Sequence, residues 1–181
     1  MELTKALTET YLTALEAEDQ LFEVVDGHIV EVEPVGEWHG WTGALIHTKM
    51  ANFILENKLG RMYISDTNFV LDGAPDDIRI LRRPDFSFVA AENVTPTMGY
   101  IFRAPDLAME VVSPSQSYSE MMSKVTEYLN HGTQEVWIVM STGQIQVFYA
   151  DRTSKIYTDS DIAESRLLKG FKLKLDEVFE S

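Results

Sequence analysis

Leu107-Ala108-Met109-Glu110-Val111-Val112-Ser113-Pro114-Ser115 reads as an apolar strand that carries one carboxylate and then breaks at a proline. A charge inside such a run costs several kcal/mol unless it is paired or bound to a metal, so Glu110 calls for a partner. Twenty-odd residues earlier, Arg83-Pro84-Asp85-Phe86-Ser87-Phe88-Val89 has the same character, with Asp85 at its start. Side chains alternate along a strand. Asp85, Ser87 and Val89 therefore share one face, and Glu110 shares a face with Ala108 and Val112. If the two strands are neighbours, the two carboxylates lie side by side. Like charges that close repel, and Mg²⁺ or Mn²⁺ relieves the repulsion with the oxygen ligands it prefers.

Working outward, a helix is expected from about Ser117 to His131, closed by Gly132. Its stripe Met121, Met122, Val125, Tyr128, Leu129 faces the core, and Lys124 flanks that stripe. From there the lysine stem can run along apolar surface and deliver its ammonium to the strand ends. It would orient an attacking water or hold charge developing on a phosphate. Glu127 is either an accessory ligand or a partner of Lys124. Upstream, Leu3 to Glu18 has helical spacing, and Asp26-Gly27 between Leu21–Val25 and His28–Val32 signals a hairpin. A second helix spans Trp38 to Lys58, before Gly60. Strands are expected at Met62–Ile64 and Asn68–Leu71, with the loop Asp72–Asp77 leading on to the Asp85 strand. A second hairpin, Glu135–Met140 and Gln144–Tyr149, turns at Ser141-Thr142-Gly143, and short strands follow at Lys155–Thr158 and Gly170–Leu175. The order argues an α/β (α+β) domain with a mixed sheet flanked by helices. At 181 residues the chain is expected to form one domain, 1–181.

With no cysteine, disulfides, thiolate nucleophiles and cysteine-ligated zinc are excluded. No apolar run approaches the ~20 residues of a membrane span, and no secretory leader is visible, so a soluble cytoplasmic protein is expected. Fifteen Lys plus Arg against twenty-nine Asp plus Glu gives a net charge of −14, which repels DNA on average. Arg79, Arg82 and Arg83 just before Asp85, and Arg103 before Glu110, place positive charge near the acids.

Phe22-Glu23-Val24-Val25-Asp26-Gly27, Arg83-Pro84-Asp85-Phe86-Ser87-Phe88-Val89, Ala104-Pro105-Asp106-Leu107-Ala108-Met109-Glu110-Val111-Val112-Ser113-Pro114-Ser115 and Lys124-Val125-Thr126-Glu127-Tyr128 together resemble the Uma family. This is a largely bacterial group described as endonucleases of restriction-endonuclease-like fold. The resemblance covers roughly residues 10–150, and Glu-Val-Val-Ser-Pro-Ser is its most specific block. It implies the PD-(D/E)xK scheme, with Asp85 and Glu110 as ligands of Mg²⁺ (or Mn²⁺), DNA as substrate and, by analogy, a homodimer. The lysine of the general scheme, two residues after the glutamate, is replaced here by Val112. In the Uma-like pattern the following helix supplies it, and Lys124 matches that position.

Other residues have plainer readings beside the functional ones. Asp85 could be a strand-start aspartate bonded to turn amides, and Asp106 reads as such a turn residue. Asp66 could add a carboxylate to the site or sit in a turn. His39, at a helix start, could assist water or phosphate or be structural. The four histidines lack zinc-ligand spacing. Ser113 and Ser115 read as helix caps rather than nucleophiles. Trp38, Trp41 and Tyr100 could stack on bases, though aromatics at helical spacing are usually core. Two rivals to a DNA endonuclease remain: a partner-binding domain that keeps the fold without catalysis, and a hydrolase of small phosphoesters.

Overall fold

The computed structural model describes residues 6–113 and 116–179. The central sheet has six strands: β3 (Gly60–Ile64), β6 (Phe86–Ala90), β7 (Leu107–Val111), β8 (Glu135–Met140), β9 (Gln144–Tyr149) and β10 (Ser154–Tyr157), in the order β10-β9-β8-β7-β6-β3. Every neighbouring pair is antiparallel except β7 and β8, which run parallel with Leu107 opposite Glu135. A parallel pair needs a crossover, and helix α3 (Tyr118–Asn130) lies within the one joining β7 to β8.

Both faces of this sheet are covered. Helix α2 (Glu37–Glu56) buries Ile46, Met50 and Ile54, one per turn, in a core that includes Phe86, Phe88, Leu107, Met109, Trp137 and Val139. On the other side, Met121, Val125 and Tyr128 of α3 pack with Ala108, Val136, Ile138 and Val89. The alternation of β7 thus sends Met109 and Val111 toward α2 and Ala108 toward α3. Ser117 caps α3 by accepting a hydrogen bond from the Glu120 backbone N–H, while the Glu120 carboxylate accepts one from that of Ser117. The cap expected at Ser113 therefore belongs to Ser117, because its side chain stands three residues before the glutamate that completes a capping box. The cap expected at Ser115 falls outside the described residues, as do Leu3 and the rest of the first helix's expected beginning.

A second sheet of four strands has the order β2-β1-β5-β4, formed by β1 (Phe22–Val25), β2 (His28–Glu31), β4 (Phe69–Ala74) and β5 (Asp77–Arg82). The Asp26-Gly27 hairpin is as expected, with φ of 49° and 75°, the pair of positive values that a two-residue hairpin turn favours. Helix α1 (Glu9–Glu16) is shorter than its pattern suggested, with residues 6–8 outside the helix. It closes a small core of Leu12, Phe22, Val24, Val70, Ile78, Leu81 and Tyr100. Strand β5 is a correction. Asp72–Asp77, expected to be a loop, holds the end of β4 and the start of β5, and the segment from Asp77 to Arg82, to which no element was assigned, is a strand paired with both β1 and β4. A final two-stranded ribbon, β11 (Ile162–Glu164) with β12 (Lys172–Lys174), precedes the short helix α4 (Asp176–Phe179). No helix among the described residues is long and apolar enough to cross a membrane.

Candidate active site at the β6–β7 edge

In β6 and β7, Phe86 faces Met109, so the residue before Phe86 and the residue after Met109 are neighbours across the pair. Those residues are Asp85 and Glu110. Asp85 is one position short of the strand expected to begin with it, and its carboxylate reaches across the pair. Asp85 Oδ2 accepts a hydrogen bond from the Val111 backbone N–H at 2.7 Å and lies 3.2 Å from His39 Nε2. The amide that Asp85 bonds belongs to β7 and not to a turn, so the plain reading of Asp85 as a carboxylate tied to turn amides is not what is seen. His39, in the first turn of α2, is the histidine brought to the pair.

Glu110 is 7 % exposed and faces α3. Its Oε1 accepts from the Tyr128 hydroxyl at 2.7 Å, and its Oε2 from Lys124 Nζ at 3.1 Å. Lys124 is where the sequence placed it, on the flank of the buried stripe, with its ammonium at the strand end. One turn apart, Lys124 and Tyr128 grip both oxygens of the same carboxylate.

The surroundings are electrostatically crowded. Burial, opposed by Lys124 and reinforced by the charges of Asp85 and Glu23, pushes the Glu110 carboxyl up to about 7. Burial alone would lower the pKa of Lys124, but Glu110 and Glu23 reverse that and hold it above its ordinary value. His39 is likewise held above its usual range, because its hydrogen bond to Asp85 and the charges of Asp85 and Glu110 outweigh burial. Burial is the largest cause of that rise, so the deficit at Glu110 is first one of solvation, with the two neighbouring carboxylates adding to it and Lys124 opposing it.

That deficit bears on a metal. No group of three or more His, Asp or Glu side chains among the described residues forms a ready-made cage. Asp85 and Glu110 nonetheless suit Mg²⁺ or Mn²⁺, which binds through one or two carboxylates and completes its shell with water and substrate phosphate. The donor set is all hard oxygen, and the raised pKa of Glu110 is what a nearby cation would bring down.

Several expected members are elsewhere. Asp66 is an exposed turn residue, 3.7 Å from Arg83. Glu127 pairs not with Lys124 but with Arg82, at 2.6 Å. Asp106 is the structural residue it was read to be, accepting from the Ala90 backbone N–H, Asn93 and Arg103. Of the arginines expected to supply positive charge, Arg82 is buried between Glu23 and Glu127, Arg83 faces Glu16 and Asp66, Arg103 bonds Asp106, and Arg79 sits on Asp77. Tyr100 is core, and Trp38 packs against the α2 core, while Trp41 is half exposed. Sequence reasoning missed Glu23, whose Oε1 is 3.3 Å from Lys124 Nζ and whose Oε2 holds Arg82, and missed Tyr128 as the partner of Glu110. The signal for Glu23 was present: a lone carboxylate among Phe22, Val24 and Val25, the same pattern that singled out Glu110.

The model of the family described as "Uma2: Putative restriction endonuclease" matches residues 8–176. The chain belongs to the Uma2 family. A crystal structure described as "a putative nuclease belonging to DUF820 from Anabaena variabilis ATCC 29413" superposes on this Uma2 chain with a TM-score of 0.80 at 16 % sequence identity, covering 96 % of this chain and 98 % of that one. At that identity the likeness is one of fold, and it bears out the expected architecture of a mixed sheet with flanking helices. No curated protein matches the Uma2 chain.

Proposed function

We propose that this Uma2 protein is a Mg²⁺- or Mn²⁺-dependent endonuclease that hydrolyses phosphodiester bonds of DNA. The observation that carries the reading is the meeting of Asp85, Glu110 and Lys124 at one end of the β6–β7 pair, drawn from the residue before β6, from β7 and from α3, with Lys124 Nζ 3.1 Å from Glu110. In this reading Asp85 and Glu110 hold the ion. An ion held there would supply Lewis-acid activation of water and offset charge on the scissile phosphate. The Val111 amide and His39 fix the orientation of Asp85, and Tyr128 fixes that of Glu110. Lys124 stands on the Glu110 side, where its ammonium donates to the attacking water or to a phosphate oxygen. One such site per chain cuts one strand, so cleavage of both strands is assigned to a homodimer, working on DNA in the cytoplasm.

Titration calorimetry with Mg²⁺ and Mn²⁺ at low ionic strength tests the centre. The wild type is expected to bind with micromolar to millimolar affinity, and Glu110→Gln to lose that binding while remaining folded. Duplex cleavage should follow the same pattern and fall by at least about 10³-fold in Glu110→Gln and Lys124→Ala. Metal binding that is absent, or equal in the mutant, would overturn the reading. One observation favours a second reading: with the arginines near the site engaged by carboxylates and a net charge of −14, a small phosphodiester is met with less repulsion than a duplex. Turnover of small phosphodiesters without cleavage of DNA would select it.

A further inference from the structure

We infer that Glu23, on the β1–β2 hairpin of the second sheet, is a positioning residue that holds the Lys124 ammonium at Glu110. This rests on the nuclease reading above. A lysine reaching a site along a flexible four-carbon stem has many rotamers to choose from, and one acceptor does not fix its direction. Lys124 has two acceptors from different elements: Glu110 Oε2 at 3.1 Å, from β7, and Glu23 Oε1 at 3.3 Å, from β1.

Glu23 is itself held. Its Oε2 accepts from Arg82 Nη1 at 2.6 Å, and its Oε1 from the Arg83 backbone N–H at 3.3 Å. Arg82 is fixed in turn by Glu127, whose Oε2 takes both Nε at 2.7 Å and Nη2 at 2.6 Å. Glu127 lies on α3 three residues beyond Lys124. The chain of ion pairs therefore leaves α3 at Glu127, passes through β5 and β1, and returns to α3 at Lys124. Neighbours that could have paired with each other on the helix surface are joined instead through a closed ring, and a closed ring selects one lysine rotamer.

Stability alone does not call for this arrangement. Glu23 and Arg82 are 5 % exposed, and buried ion pairs are commonly matched or bettered by apolar residues of similar volume. Arg82 already has a carboxylate in Glu127. What Glu23 adds is a second acceptor, within reach of an ammonium that would otherwise swing about Glu110.

The test is a double-mutant cycle on single-turnover cleavage of a duplex with Mn²⁺. Glu23→Gln is expected to lower the chemical rate by at least about tenfold at unchanged KM for DNA, and to change it by less than about twofold in a Lys124→Ala background. Glu23→Asp keeps the charge beside Arg82 but withdraws the carboxylate by one methylene, and should behave like Glu23→Gln if the latter folds poorly. A second readout needs no activity. In the metal-free protein the ¹⁵N-correlated ammonium signal of Lys124 should exchange slowly with water, and should broaden away in either Glu23 variant while the α3 amide signals stay put. Equal losses of rate with and without Lys124, or an ammonium signal untouched by the substitutions, would overturn the inference. Failure of the wild type to cleave would instead remove the nuclease reading, and the ammonium signal would still decide whether Glu23 anchors the lysine.

Discussion

Glu110 is the most perturbed carboxylate of the candidate site, buried, adjacent to Asp85 and gripped by Tyr128 and Lys124. Its carboxyl is pushed up to about 7 from an ordinary value of 4.5. A group that binds its proton more tightly in the folded state stabilises that state below the unfolded pKa, and the contribution fades as pH rises through the folded one. Metal-free wild type should therefore lose roughly 3 kcal/mol between about pH 4.5 and pH 8 relative to Glu110→Gln, the amount that a shift of this size represents. Urea midpoints of the two proteins at pH 5 and pH 8 measure it, and a gap that does not change with pH would refute it. The same proton must leave for a cation to bind, so Mg²⁺ affinity should rise from pH 6 to pH 8. At this scale the candidate site was legible where a carboxylate interrupts an apolar run, at Asp85 and Glu110. Glu23 follows the same rule. Period-2 alternation with Phe22 and Val24, however, assigns it to the solvent face of a hairpin. The structure buries Phe22, Glu23 and Val24 alike, and Glu23 meets a side chain from α3.

Elements were readable where one periodicity dominated, as in α2, α3 and both hairpins. Strand β5 was not, although Asp77-Ile78-Arg79-Ile80 alternates cleanly, because its charges drew the reading toward a basic cluster and Asp72–Asp77 looked like a loop between strands. The loop is in fact the tip of the β4–β5 hairpin, and β4 runs through to Ala74 with a register shift around Asp72 and Gly73. Gly73 has φ of +120°, in the half of conformational space that side chains avoid, and a Cβ there would run into the Asp77 carbonyl oxygen. Gly73→Ala should cost about 2 kcal/mol or more, since both the backbone and the neighbouring strand must shift. Because β5 carries Arg82 at its far end, the same variant should also slow cleavage if the second sheet positions Lys124. By contrast, Ser117→Ala removes only the capping box of α3 and should cost about 1 kcal/mol, with cleavage nearly unchanged because Lys124 lies two turns further in. Thermal melts beside single-turnover rates separate the two outcomes, and a Gly73→Ala protein as stable as wild type would contradict the strain and clash expected at that position.

Across the whole molecule, the net charge of −14 sets the terms on which a polyanion can approach. Most DNA-binding proteins draw their affinity from many lysine and arginine contacts to phosphate, each of which releases counterions and steepens the salt dependence. Here Arg79, Arg82, Arg83 and Arg103, the arginines that the sequence sets close to the acids, each lie within 4.0 Å of a carboxylate of the same chain. If DNA is the substrate, a divalent ion at Asp85 and Glu110 must supply much of the local attraction. Two consequences follow from that balance. Binding of a duplex to Lys124→Ala, followed by fluorescence anisotropy with Ca²⁺ in place of Mg²⁺, should weaken only about 3- to 12-fold between 50 and 200 mM salt, as one or two phosphate contacts would give. Removing the divalent ion with a chelator should abolish it, because nothing then offsets repulsion between the acidic edge and the phosphates. A loss of about 10³-fold over the same salt range, or binding that survives chelation, would reveal a basic footprint elsewhere on the surface and move the DNA path away from the β6–β7 edge.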